Sequence, residues 1–442
     1  MGEFLPQEFW MMHGIAFAVA MILLISGLAW RRKKHLIDDL PTSKVEGVFI
    51  GLVELKGTAE AETPLTSYLA ETRCVYYNFR VQEEWQRTET ETYRDKDGNT
   101  RTRTRTRSGW RTVRGETRQI PFYLRDDTGI IRVLPEGAKV EGRTVFNRQV
   151  RPSDPLYYAK GPSTSIADST HRRRFTEEAI VLHDPIYLVG KAREREDIVA
   201  PEIAHAPEAR LFLISTRTAE QVSRGYGLAY LASAFGGAAL LAAVQWFYWN
   251  ERSVLPDPLF PYLWPPQALY FGIWFFGWLW MTYNSLVELR QRMRRAWSLV
   301  DVQLKRRSTL IPQIVAVVKG LKEHEKEVQS ALAELRTQAQ ATEPGLDGPD
   351  PAACQPSLIA LREAYPELKS DEAFRKLQTE LSDTEQRIAL ARGYFNDVCT
   401  FYNTRLGIFP DGLIARLTGF QSHPLIVAEN FERAPVKVNL AE

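Results

Sequence analysis

Residues 10–30 form a long apolar run, built on IAFAVAMILLISGLAW and closed at once by Arg31, Arg32, Lys33 and Lys34. A bilayer core roughly 30 Å thick needs ~20 apolar residues in helical form, and this run supplies them. No other feature restricts the chain so strongly, because a segment in lipid must satisfy every backbone amide within itself. Glu3 and Glu8 precede the run and four cations follow it, the reverse of a cleaved leader peptide. The pattern predicts an N-terminus outside and residue 31 onward in the cytoplasm.

Two further spans are predicted. Residues 225–249 are rich in small side chains (GLAYLASAFGGAALLAAV), end in four aromatics, and follow Arg217 and Arg224 on the cytoplasmic side. Their Gly236/Gly237 pair would allow close helix approach. Residues 250–266 carry five prolines and are expected to form a short external link. Residues 267–287 are aromatic throughout (FGIWFFGWLW) and run into Arg290, Arg292, Arg294 and Arg295, a second basic membrane edge. The expected architecture is a multi-domain membrane protein with three transmembrane helices. Two cytoplasmic blocks, residues 31–224 and 288–442, hang from them.

A net charge of +2 with 25% charged residues excludes a strongly basic nucleic-acid binder, so no nucleic-acid partner is expected. Three scattered cysteines, Cys74, Cys354 and Cys399, cannot build a disulfide framework or a thiolate zinc site. His324-Glu325 followed by Glu327 lacks the second histidine, at i+4, that a helical metal site needs. No catalytic, metal or cofactor residues are therefore expected.

Residues 45–216 alternate short β-branched or aromatic runs with Gly, Pro and Asp-Gly breaks, which predicts an all-β module. Strands are expected at 48–55, 74–84, 109–114, 122–125, 130–134, 186–190 and 211–215. Through TPL (63–65), CVYY (74–77), PFYLRDDTG (121–129), VLP (133–135), IYLVGKA (186–192) and FLIS (212–215) the module resembles the GIDE-type "beside-a-membrane" domain. In one branch of that family the domain precedes a zinc-binding ligase RING. This chain has no Cys pairs at metal-ligand spacing, so ligase activity is not implied.

Within the module, residues 88–107 (TETETYRDKDGNTRTRTRTR) read as a solvated hairpin with a loop at 96–98. In one register Thr88, Thr90 and Thr92 face Thr106, Thr104 and Thr102, and Glu89 and Glu91 face Arg105 and Arg103. A slip by one residue sets Thr against charge at every position, so the first register is favoured. Neither face suits an apolar core. The hairpin should protrude as a ribbon, with Glu89, Glu91, Arg103 and Arg105 as candidate contacts to a neighbouring subunit.

From residue 370 onward Phe374, Leu377, Leu381, Thr384, Ile388, Ala391, Phe395, Val398 and Tyr402 recur by threes and fours, a coiled-coil seam. Ser370 suits an N-cap and Gly407 a stop, with a short helix at 411–418 and an extended tail, 421–442, after it. An earlier seam, Leu286, Leu289, Met293, Ala296, Val300 and Leu304, continues from the third span. Pro312 is expected to interrupt it before it resumes through Ile311, Ile314, Val318 and Leu321 toward Leu335. A linker at 341–356 separates the two arms. Lys305, Arg306 and Arg307 are expected to meet acids of the return helix such as Glu380, Asp383 or Glu385.

The strings YNSLVELR (283–290), AWSLVDVQLKRRSTLIPQIVAVVKG (296–320), AYPELKSDEAFRKLQTELSDTEQRIALARGYFNDV (364–398), YN (402–403) and FP (409–410) resemble the LemA family over 281–420. The resemblance implies a membrane-anchored antiparallel helical bundle with no established catalytic residues. Relatives are associated with membrane metallopeptidases of the HtpX kind, which implies such a partner here. The chain departs from the family by its β module and extra spans.

Together these readings predict a membrane scaffold of a bacterial cytoplasmic (inner) membrane, contacting lipid and self-assembling into a homo-oligomer. An adaptor or regulator of a membrane protease or envelope stress pathway is the alternative. A hydrolase with an unrecognised site is a third reading.

Overall fold

The computed structural model describes residues 7–94, 100–195, 200–207, 209, 211–251, 260–321 and 372–426. The chain divides into two compact units, Thr42–Val222 and Met1–Pro41 with Ser223–Glu442. Helix α1 (Gln7–Asp38) opens the second of these.

The first unit is built from β1 (Thr42–Ser43), β2 (Gly51–Glu60), β3 (Leu65–Thr66), β4 (Arg73–Arg94), β5 (Thr100–Gln119), β6 (Phe122–Arg125) and β7 (Ile130–Val133). It continues with β8 (Lys139–Glu141), β9 (Arg143–Val150), a short α2 (Leu156–Ala159), β10 (Ser169–Val181), β11 (Pro185–Glu194), β12 (Pro201–Ala204) and β13 (Leu213–Ser215). Strands β2, β6, β7, β12 and β11 pair in that order, and β11 returns to β2, which closes a small barrel. Closure removes the ring's free edges. Its interior holds Leu55, Leu124, Val133, Leu188, Ile203 and Ile214, all buried.

A second sheet runs β9–β10–β4–β5, antiparallel throughout, over a separate core of Phe79, Val81, Tyr157 and Phe175. Strand β10 escapes the sequence reading because HRRRFTEE looks like a solvated charge run. In the fold Arg173, Phe175, Glu177 and Ala179 alternate inward, so two of the four core-facing side chains are ionic. Beyond Trp85, β4 no longer pairs with β10, and β4 and β5 continue alone as a two-stranded ribbon. Its register sets Thr88 opposite Thr106, Glu89 opposite Arg105 and Glu91 opposite Arg103, the pairing favoured by the charge pattern. The loop expected at 96–98 lies outside the described residues.

The helical unit continues with α3 (Ala219–Glu251), α4 (Phe260–Leu321), α5 (Glu372–Gly407) and α6 (Asp411–Leu417). Among the described residues two helical stretches are long and apolar enough to cross a membrane, Met11–Asp38 and Ala219–Tyr248. The third span expected at 267–287 is not one of them. Its tryptophans and tyrosines carry polar tips, and Gln267, Thr282 and Asn284 lower the hydropathy further. The fold nevertheless packs this stretch on the other two helices, with Tyr270 buried among Ala16, Ala20, Leu24 and Leu241.

Helix α3 runs against α1, because Ser223 meets Asp38 at one end and Tyr248 meets His13 at the other. Helix α4 runs along α1, with Gly277 against Leu28 and Arg292 at Asp39. Gly237 lies against the Tyr270 hydroxyl where a Cβ would collide with it, whereas Gly236 meets nothing. Tyr270 donates to the Ala234 carbonyl at 2.9 Å and Trp274 Nε1 to the Tyr230 hydroxyl at 3.0 Å, so polar aromatic tips are satisfied between helices.

Two expectations about α4 fail. It begins at Phe260, so Pro265 and Pro266 of the supposed link lie inside it, and it passes through Pro312 unbroken. Pro265 and Pro266 are its sixth and seventh residues, so the helix forgoes two hydrogen bonds in its second turn, close to its start. At Pro312 the neighbouring Ile311 and Ile314 are buried, and that packing outweighs the one lost hydrogen bond.

Candidate functional site

Where α1 ends, four segments of the helical unit converge on one buried guanidinium. Arg405, near the end of α5, donates from Nη1 to Asp39 Oδ2 at 2.7 Å and to Ser285 Oγ at 2.6 Å, and from Nε to Asp411 Oδ2 at 2.7 Å. Its Nη2 also pairs with Asp411. Ser285 in turn donates to Asp39 at 3.3 Å, and Arg292 Nη1 donates to the Asp39 carbonyl at 2.5 Å. Residues far apart in sequence thus pin α1, α4, α5 and α6 together. Burial pushes the Asp39 carboxyl above the usual carboxylate range, opposed by the Arg405 and Arg292 charges.

The basic clusters at the apolar edges largely turn onto the protein. Arg31 lies over the rings of Tyr230 and Trp278, at 5.3 and 5.8 Å, and Arg290 over Phe420 at 4.6 Å. Lys34 reaches Ser223 Oγ at 3.0 Å and pairs with Asp38, and Arg292 is held by Asp39. Lys33 is half-buried, and Arg32, Arg294 and Arg295 are exposed.

A second polar device fixes the residues after α6. Asn403 Nδ2 donates to the His423 carbonyl at 2.8 Å while its Oδ1 accepts the His423 N–H at 2.9 Å. Asn396 treats Ile426 identically, with both bonds at 2.9 Å. Seven helical residues rise about 10.5 Å and three extended residues span about 10 Å, so the two rungs match. The Cys399 thiol donates to the His423 carbonyl at 3.3 Å between them. Burial raises the thiol's pKa, so it stays protonated at neutral pH.

In the β unit, Cys74 is likewise buried and pushed up to about 11. The ribbon carries an ion pair between Glu89 and Arg107 at 3.5 Å, diagonal to the direct partner Arg105; Arg103 and Arg105 are exposed. The side chain of Glu91 lies outside the described set. No group of three or more His, Cys, Asp and Glu able to hold a metal occurs among the described residues.

Comparison with known proteins divides the chain similarly. The LemA family matches residues 296–440, and the GIDE family, described as E3 ubiquitin ligase, matches 90–242. The C-terminal region is LemA-like. The protein LemA of Metamycoplasma hominis is 23% identical over 160 residues, 35% of this chain and 72% of its own length. Magnetosome protein MamQ 2 of Paramagnetospirillum magneticum is 24% identical over 193 residues, 36% of this chain and 68% of its own. MamQ of Magnetospirillum gryphiswaldense is 36% identical over 64 residues, 14% of this chain and 24% of its own.

In the LemA-like region α4 and α5 pack antiparallel along the two seams. Leu286, Leu289, Met293, Ala296, Val300, Leu304, Ile311 and Ile314 are buried on α4, and Leu381, Thr384, Ile388, Ala391, Phe395, Val398 and Tyr402 on α5. Leu377 is half-buried, and the side chains of Phe374, Val318 and Leu321 lie outside the described set, as do residues 322–371 with Ser370 and the expected linker. Arg307 is fully buried and lies 3.8 Å from Glu385, one of the acids named from sequence. It occupies a seam position, three residues after Leu304 and four before Ile311, a spacing that sequence reasoning overlooked because the residue is charged.

Asp39, Ser285, Arg405, Asn396 and Asn403 were also missed. Their chemistry becomes visible only when distant segments meet. The asparagines alone left a trace, since their spacing of seven repeats the heptad.

Proposed function

We propose that this protein is a non-enzymatic, membrane-anchored scaffold that self-assembles through its LemA-like helices and its β module. The reading rests on the Arg405 junction, which joins one of the two membrane-length apolar helices, α1, to the α4–α5 pair. Such a junction transmits position, not chemistry. The α4–α5 pair buries one stripe per helix, while Val302 on α4 stays exposed and Trp297 and Phe401 only half-covered. These outward faces are the surfaces through which copies would meet. Confinement to a membrane raises the effective concentration of those copies.

In this reading α1 and α3 cross a bacterial cytoplasmic membrane, and the aromatic start of α4 crosses beside them because it runs parallel to α1 at the same depth. The N-terminus lies outside and both bodies lie in the cytoplasm. The membrane association of the LemA family and the magnetosome names of two relatives fit an anchored protein. An adaptor for a membrane metallopeptidase is the second reading, and it requires that peptidase to co-purify.

The deciding experiment is the native mass of the detergent-extracted particle. A multimer supports the scaffold and a monodisperse monomer refutes it. Labelling residues 100 and 400 from one side of sealed vesicles tests the topology, and opposite sidedness would end it.

A further inference from the structure

The short helix α6 bears two unlike faces. Ile414 and Ala415 are buried against Leu286, with Trp278 and Leu279 of α4 packed on the same cluster. The opposite side is apolar and uncovered: Ile408 is 53% exposed, Phe409 82%, Leu413 55% and Leu417 80%. Leu413 and Leu417, four residues apart, share one face of α6, and Ile408 and Phe409 stand exposed in the turn that leads into it. A water-facing helix of a folded body does not ordinarily present such a ridge.

The level of α6 along α1 explains it. Trp278, which packs against α6, also takes Arg31 over its ring at 5.8 Å, and its neighbour Gly277 lies against Leu28. Helix α6 therefore stands beside the last turn of the apolar run, where hydrocarbon gives way to head groups. The Asp411–Arg405–Asp39 pairs hold it at that depth from behind, so the ridge cannot swing away without breaking buried ion pairs. Arg416, exposed on α6 itself, puts a cation where lipid phosphates would lie.

We infer that Ile408, Phe409, Leu413 and Leu417 form an interfacial wedge that dips into the head-group and acyl boundary of the lipid. This rests on the membrane reading above. An amphipathic segment of this kind lies in the interface plane with its apolar face buried roughly 5–10 Å deep. The wedge would complete the anchor laterally and shield the ionic junction from lipid.

Site-directed spin labelling tests it on the full chain in liposomes, with Cys74, Cys354 and Cys399 replaced by alanine and secondary structure checked by circular dichroism. Labels go one at a time at Phe409→Cys, Leu413→Cys and Leu417→Cys. Two exposed controls are Ile22→Cys, in the middle of α1, and Arg387→Cys, on the polar side of α5. The wedge predicts that the three sites collide with oxygen at least threefold more than with a water-soluble nickel reagent, as Ile22→Cys does, while Arg387→Cys shows the reverse. Three ridge sites keep the test intact if one variant misfolds. Nickel accessibility at the ridge with Ile22→Cys still lipid-exposed overturns the wedge alone. Shielding of the ridge from both reagents also overturns it, since a protein then covers the face. Nickel accessibility at Ile22→Cys overturns the membrane reading itself.

Discussion

Arg173 and Arg405 are both buried arginines, and they do opposite things. In the β unit Arg173 finds all its partners nearby. It bonds Glu83 at 3.0 and 3.1 Å and the carbonyls of Tyr157, Pro162 and Thr164 at 2.7–3.0 Å, and it lies 3.8 Å over the Tyr157 ring. Its neighbour Glu177 is equally local, accepting the backbone N–H groups of Tyr68, Leu69 and Ala70 at 2.7–3.1 Å. Arg405 instead reaches α1, α4 and α6, with partners at positions 39, 285 and 411. One ion closes a core; the other couples elements that could move apart. A buried pair is costly to break in either setting, but only the second can report on the relation between the apolar helix α1 and the α4–α5 pair.

The comparison predicts an order of effects. Arg173→Met should be the most damaging, by about 3–5 kcal/mol, because it strands the fully buried Glu83 carboxylate. Thermal unfolding of the full chain should show early loss of β structure. Equal damage from Arg405→Met would erase the distinction, since there Asp39 can take up a proton. That substitution should cost about 1–3 kcal/mol and leave the β signal intact. Its signature is faster proteolysis around residues 408–426.

Next comes Asn403→Leu. Losing two backbone bonds to the segment after α6 should cost about 1–2 kcal/mol and expose 421–426 to proteases without changing helix content. Protection unchanged from the natural protein would mean that Asn396 and the Phe420 contacts hold the segment unaided.

Asp39 gives a pH-dependent test. Its folded pKa is raised, so the folded state holds the proton more tightly and gains stability as pH falls through that raised value. The gain is lost as pH rises from the ordinary carboxylate range of about 4. Asp39→Asn removes this dependence. Its stability relative to the natural protein should therefore improve from pH 4 toward neutrality, as measured by thermal midpoints. Parallel profiles would show that Asp39 titrates normally.

What the sequence disclosed follows from where each signal sits. The 3–4 seams of α4 and α5 were legible because each residue reports its own face, and the Thr/Glu/Arg ribbon because its alternation admits one register. The pairing of Arg307 with Glu385 was legible as charge meeting charge across that seam. Strand β10 was not, since Arg173 and Glu177 are core residues only through partners on β4 and the Tyr68 turn. The span at 267–287 was misjudged in strength because aromatic content is not hydropathy. The Arg405 junction left no local pattern at all.

The smallest stability effect is expected from the ribbon, which makes it the sharpest test of assembly. Beyond Trp85 it packs on no third strand, and its described side chains from Thr102 to Ser108 are exposed. Replacing 89–105 with an Asn-Gly turn, which leaves Thr88 opposite Thr106 and suits a two-residue hairpin, should shift stability by no more than about 0.5 kcal/mol. A change in particle mass would then be attributable to a lost contact between copies, not to a weakened fold. If mass and stability both stay fixed, Glu89, Arg103 and Arg105 make no contact between copies. The proposed self-assembly would then have to rest on other surfaces, the outward faces of α4 and α5 first among them.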